Sequence, residues 1–222
     1  KYGVFEDQEL VSIVAKRLAD REEISKARAF PYQLLMAYNA VGAEVPHAVK
    51  EALQDAMEIA IDNVPSFDGQ VYVCIDTSGS MGSAITGNRV GSTSKVTCVD
   101  VAGLFAAATL RRNKSAECLP FDTAVRHVEI NPRDTVMTNA KKLALHGGGT
   151  DCACALRHLN AKGAKGDAVV FVSDNESWVD GGSYRQGTGM LNEWRLFKQR
   201  NPKARLVCID LIPRSNSQVN SH

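Results

Sequence analysis

Residues 71–81 read VYVCIDTSGSM. The first five form an unbroken apolar run rich in valine and isoleucine, the pattern of a strand buried on both faces of a sheet. The next five are Asp76, Thr77, Ser78, Gly79 and Ser80. A buried strand tip is an unfavourable place for a carboxylate and three hydroxyls unless something binds them. A metal ion, a phosphate or a catalytic water could do so. The plain alternative is that Ser and Asp here only cap a helix and shape a turn.

The same texture continues downstream. KVTCVDVAGLFAAATLRR predicts a helix ending in basic residues, with Ala102, Gly103, Ala106 and Ala107 as a small face for close packing on a sheet. SAECLPF predicts a second strand. AVRHVEI alternates apolar and polar residues and predicts an exposed antiparallel edge strand, joined through the turn Asp122-Thr123. RDTVMTNAKKLAL predicts a helix, and a short helix CACALRHLNAKG follows the glycine-rich GGGTD. DAVVFVS is a second fully buried strand, followed by the helix LNEWRLFKQR and the strand ARLVCIDLI. The expected fold is α/β: an open, mostly parallel sheet with one antiparallel edge strand and helices on both faces.

Before Phe67 no strand signal occurs. Leu10, Ile13, Val14 and Leu18 fall at helical spacing, Pro31 opens a helix that ends before Gly42, and Pro46 opens another that Pro65 stops. The division expected is a helical segment over residues 1–65 and an α/β domain over 66–222.

Composition narrows the function. A net charge of +1 gives no global pull toward nucleic acid or a membrane surface. Apolar runs are far shorter than a membrane span, and KYGVFEDQEL has no signal-peptide core. Six cysteines without a CxxC pair read as small buried hydrophobes in a reducing compartment, so a cytoplasmic location is expected. Cys152 and Cys154, two apart, make a weak zinc signature, and the histidines are scattered. Lys16, Arg17, Arg21, Lys26 and Arg28 are interleaved with acidic residues, the pattern of a solvated helix face. DTSGS departs from the aspartic-protease Asp-Thr-Gly and has no second copy. GGGTD lacks the P-loop lysine, and neither a GxGxxG fingerprint nor a GxSxG elbow is present.

Open parallel sheets place their sites at the carboxyl ends of strands, near a switch in strand order. Three polar loops sit there or just before a helix: DTSGSM, GGGTD and SDNESW. Asp76, Ser78 and Ser80 alternate, Thr150 follows three glycines, and Asp174 ends a buried strand. Two carboxylates and three hydroxyls are hard oxygen donors, suited to Mg²⁺ or Mn²⁺ with an incomplete shell that a carboxylate or phosphate could fill. No nucleophile or general base stands beside them, so a binding role rather than an enzyme is expected. Trp178, beside the third loop, could contact a partner or be buried beneath it.

The D-x-S-x-S after the first strand, the threonine after glycines and the aspartate after a later buried strand resemble the von Willebrand factor A domain. The resemblance implies a metal-ion-dependent adhesion site at Asp76, Ser78, Ser80, Thr150 and Asp174, and a binding module rather than a catalyst. GGGTDCACAL, VSDNESW and ARAFPYQLLMAYNAVG…PHAVKEALQDAMEIAIDNVPSFDG are similar to stretches of the Ro ribonucleoprotein (TROVE) family, so that the likeness runs from about Ala27 to Ile212. It implies the last helices of a HEAT-like ring joined to an A domain. It also implies RNA quality control and stability, with small structured Y RNAs and misfolded RNAs as partners of the whole ring and, in bacteria, an exoribonuclease partner. Two departures stand out: most of the ring is absent, and the chain stops in PRSNSQVNSH where the family continues into a further strand and helix. We therefore expect part of a longer chain, with an incomplete sheet edge. The other reading is an intracellular A-domain module that binds a protein's acidic group through its metal, without RNA.

Overall fold

A computed structural model of the chain describes residues 3–86, 95–174 and 188–212. Four helices come first: α1 (Gln8–Leu18), α2 (Arg21–Ala27), α3 (Pro31–Ala40) and α4 (His47–Ile59). Then strands and helices alternate: β1 (Val71–Asp76), α5 (Cys98–Arg112), β2 (Ala116–Phe121), α6 (Val136–Leu143), α7 (Cys154–Ala161), β3 (Ala168–Ser173), α8 (Thr188–Arg200) and β4 (Arg205–Asp210). Among the described residues the sheet has four strands in the order β2-β1-β3-β4, all parallel.

Helix starts follow local chemistry. Asp7 caps α1 through the Glu9 and Leu10 N–H groups, and Asp20 caps α2 through that of Glu23. Thr97 and Asp100 cap α5 reciprocally, and Pro31 occupies the first turn of α3 as its fixed φ favours.

Every residue of β1 and β3 is buried. Val71, Val73 and Ile75 enter one core layer with α5 and α6. Tyr72 and Cys74 enter the opposite layer with α7 and Phe197 of α8. In that layer Phe121 and Phe171 meet edge to face at 5.7 Å. Gly103 approaches α6 rather than the sheet: a Cβ there would stand 2.7 Å from the Ala140 carbonyl oxygen.

The predicted antiparallel edge strand AVRHVEI does not form a ladder. After β2 the chain makes one isolated antiparallel bridge, Phe121 to Val125, and the Arg126 N–H donates to the Pro120 carbonyl at 2.7 Å. Pro120 has no N–H to return, so the reciprocal bond of that pair cannot close. Val128 and Ile130 still pack on the core from the β2 edge.

The helical segment is not a separate body. Leu35, Met57, Ile61 and Val64 share one core with the sheet. Nor does α1 bury the expected face: Val11 is its buried residue, while Leu10 and Ile13 are exposed. Three of the basic residues there are held in surface ion pairs: Arg17 with Glu23, Arg21 with Asp62 and Lys26 with Glu22.

The link between segment and sheet is pinned by Asn113, buried just past α5. Its Oδ1 accepts from the Phe67 N–H at 2.7 Å, and its Nδ2 donates to the carbonyls of Pro65 at 3.2 Å and Thr109 at 2.9 Å. Asn113→Ala would take this partner from the Phe67 N–H and the Pro65 carbonyl, while the Thr109 carbonyl keeps the Asn113 backbone N–H. It should lower unfolding stability by about 2–3 kcal/mol in urea titrations and speed proteolysis at residues 65–67.

Candidate metal centre

β1 lies between β2 and β3, so successive crossovers leave it in opposite directions. The crevice at the carboxyl ends of β1 and β3 is the switch point of the sheet. Ile75 is in register with Val172, which brings Asp76 level with the end of β3 and Asp174 just beyond it. Asp76, Ser78, Thr150 and Asp174 are all buried, and Ser80 is half-buried.

The DTSGS loop is bonded to the end of β2 and to the GGGT loop. The Thr77 N–H and hydroxyl both donate to the Phe121 carbonyl, at 2.7 and 2.9 Å. The Gly147 N–H donates to the Thr77 carbonyl at 2.9 Å, and the Gly79 N–H to the Gly148 carbonyl at 3.1 Å. Gly147 and Gly148 have φ values of 155° and 83°, which glycine adopts without strain. This geometry lets the GGGT loop lie directly on the DTSGS loop and seats Thr150.

Within the cluster, the Ser78 N–H donates to Asp76 Oδ1 at 2.8 Å and the Ser173 hydroxyl to Asp76 Oδ2 at 2.8 Å. The hydroxyls of Ser78 and Ser80 stand 3.2 Å apart. Burial pushes the Asp76 carboxyl up; its bonds to Ser78 and Ser173 partly offset this, and the nearby Asp174 charge raises it further. Asp76 makes no ion pair among the described residues. Thr150 Oγ1 is buried and has no hydrogen-bond partner among them. Two adjacent buried carboxylates and an orphaned hydroxyl are what a divalent cation would satisfy, and the all-oxygen donor set fits Mg²⁺ or Mn²⁺. Ser78, Ser80 and Thr150 would hold the ion through hydroxyls, with Asp76 and Asp174 supplying charge.

Sulfur is not part of the set. Cys152 and Cys154 are buried, and burial together with Asp151 pushes the Cys154 thiol up to about 12. Among the described residues no group of three or more His, Cys, Asp or Glu side chains could hold a metal. The sequence reading missed the supporting residues. Thr77 locks the loop to β2, and Ser173 orients Asp76 from the neighbouring strand. The hydroxyl of Ser173, next to Asp174, is the signal that could have found it. Trp178 lies outside the described residues.

A doubly wound parallel sheet with an Asp/Ser/Thr cluster at its switch point fits one class: an A-type domain. The family model of the Ro60 vWA domain matches residues 70–219, and the chain belongs to that family. It is similar to the RNA-binding protein RO60 of Deinococcus radiodurans, 29% identical over 196 residues, covering 78% of this chain and 34% of the relative. The RNA-binding protein RO60 of Caenorhabditis elegans is 25% identical over 185 residues, covering 78% and 28%. The crystal structure of the Deinococcus radiodurans RO (RSR) protein superposes with a TM-score of 0.76 at 25% identity, over 97% of this chain and 44% of that one. The chain therefore spans roughly a third of the curated relatives it matches. Among the described residues no helix is long and apolar enough to cross a membrane.

Two outcomes are expected. Asp76→Ala combined with Asp174→Ala should abolish Mn²⁺ binding in calorimetry while circular dichroism stays that of the parent. Asp76→Asn keeps an acceptor for Ser78 and a donor for Ser173 but removes the buried charge. It should stabilise the metal-free chain by about 1 kcal/mol at neutral pH. The sign follows from linkage: a carboxyl raised in the folded state holds its proton longer there. Metal-free stability then falls as pH rises from the ordinary aspartate value through the raised one. Asp76→Asn should flatten that slope in pH-dependent thermal melts.

Proposed function

We propose that this chain is the metal-bearing A domain and adjoining ring helices of a Ro-type RNA-binding protein. In this reading the whole protein binds small structured noncoding RNA of the Y type and misfolded RNA, and acts in RNA quality control and stability. The A domain contributes a Mg²⁺ or Mn²⁺ centre built from Asp76, Ser78, Ser80, Thr150 and Asp174. When bound, the ion supplies a positive centre with an open position for an acidic or phosphate group, which could belong to an exoribonuclease or another protein.

The observation that carries the metal part is the orphaned hydroxyl of Thr150, on the loop bonded to the one that follows the buried Asp76. The RNA part is supported by family membership and by relatives described as RNA-binding. The helical segment supports the ring reading, because it shares a core with the sheet instead of hanging from it. A binding role is supported by the cluster itself, where hydroxyls and a carboxylate are bonded to one another.

The test is made on the native full-length protein, isolated from its own cells with the accompanying RNA sequenced. One or a few small structured RNAs should be enriched. Protein that comes without RNA above a mock isolation would overturn the ribonucleoprotein reading and favour a protein-binding A domain acting through its metal.

A further inference from the structure

Two arginines flank the loop that carries Thr150. Arg126 donates from Nε at 3.0 Å, and also from Nη2, to Asp122 Oδ2. Arg157 donates from Nη1 to Asp151 Oδ2 at 3.0 Å. Both pairs face the same way. The Asp122 and Asp151 side chains are 7% and 12% exposed, whereas those of Arg126 and Arg157 are 47% and 55% exposed. The carboxylate is inside and the guanidinium outside.

The pairs are built into the metal loops. The Asp151 N–H donates to the Asp122 carbonyl at 2.8 Å, which ties the two acids together. Asp122 Oδ2 lies so close to Gly148 that a Cβ there would stand 3.0 Å from it, and the Gly148 carbonyl bonds Gly79 of the DTSGS loop. Asp151 follows Thr150 directly in the chain and also turns the backbone into α7 by accepting from the Ala153 N–H at 3.0 Å. The guanidinium of Arg126 makes no other hydrogen bond among the described residues, which leaves its Nη1 for a ligand. Arg157 has Glu193 as a second, looser neighbour at 4.0 Å, and its Nη2 is open.

We propose that Arg126 and Arg157 read phosphates beside the metal centre, so that the ligand taken there is a single-stranded RNA backbone. This deepens the reading of the cluster as a metal site and rests on it. With a divalent ion present, the charges of Asp76 and Asp174 are balanced, and the arginines are the outward charges of the rim. A lone carboxylate would engage the ion and leave both arginines unused. A polynucleotide carries one phosphate per nucleotide, so a strand with one phosphate at the ion offers further phosphates to guanidiniums on the adjoining segments. Guanidinium forks match phosphate oxygens, and their buried carboxylates orient them beforehand. Both arginines are specificity-determining, not catalytic.

The probe is a fluorescein-labelled oligouridylate of about ten nucleotides, titrated in Mg²⁺ and in EDTA against the parent chain and the variant Arg126→Gln/Arg157→Gln. Mn²⁺ uptake is measured in parallel by calorimetry. The parent should bind more tightly in Mg²⁺ than in EDTA. The double variant should bind roughly tenfold more weakly or worse, with a salt slope smaller by about 1.4 for two lost phosphate contacts, and with Mn²⁺ uptake unchanged. Should it lose Mn²⁺ uptake through misfolding, Asp122→Asn/Arg126→Gln carries the test. That pair leaves no buried charge unpaired and should lower the slope by about 0.7. Unchanged affinity and slope in the variants would overturn the proposal. So would an oligoglutamate peptide that displaces the oligouridylate from the parent. A parent that takes up Mn²⁺ but binds no oligouridylate refutes the phosphate reading alone. A parent that takes up no Mn²⁺ refutes the metal centre, and the arginine proposal with it.

Discussion

The burial of Asp76 and Asp174 side by side is the constraint on which the upper face of the domain depends. Each is fully buried at the end of a strand, and like charges out of water repel strongly. Such a pair persists only on a scaffold that cannot relax away from it. β1 and β3 supply that scaffold, because they are adjacent, in register and buried throughout. The surrounding hydrogen bonds then set direction. Ser78 and Ser173 hold one oxygen each of Asp76, while Thr77 anchors the loop to the end of β2. The positive φ values of Gly147 and Gly148 let the neighbouring loop dock backbone to backbone.

The helical segment and the sheet are joined by the same economy of buried groups. Asn113 satisfies an N–H and two carbonyls where the chain passes from one to the other. Glu58 of α4 accepts from the Val136 N–H at 2.7 Å, at the positive end of α6, and lies 3.7 Å from Arg111 of α5. Apolar contact does the rest, with Met57 and Ile61 fully or nearly buried against α5 and its neighbours. Helices and sheet are therefore packed against each other at this seam, and the last turn of α6 leads into the GGGT loop.

Much of this was legible in the residues. VYVCI and DAVVFVS are apolar without interruption because both of their faces are covered, and a run of that kind has few other homes. Asp76, Ser78, Thr150 and Asp174 could be paired as a cluster because each stands at a strand end or after glycines; the structure buries all four, with β1 beside β3 and the GGGT loop bonded to the DTSGS loop. The edge strand misled because AVRHVEI has the right alternation, yet alternation reports only which faces are wet. It says nothing of the partner's missing N–H at Pro120. α1 misled for a related reason. Helical periodicity marks an apolar stripe, but Leu10 and Ile13 lie on its exposed part and Val11 on the buried one.

By itself the sequence determined the alternation of strands and helices, the two central strands, and the chemical character of the candidate site, since these follow from local periodicity and residue type. Tertiary structure decided the strand order, the failure of the β2 edge to zip, the sharing of one core by helices and sheet, and the seating of Asp122–Arg126 and Asp151–Arg157 around Thr150. Those depend on which backbone groups and charges meet across long separations in the chain. No local pattern encodes that, because each partner is ordinary until the other is beside it.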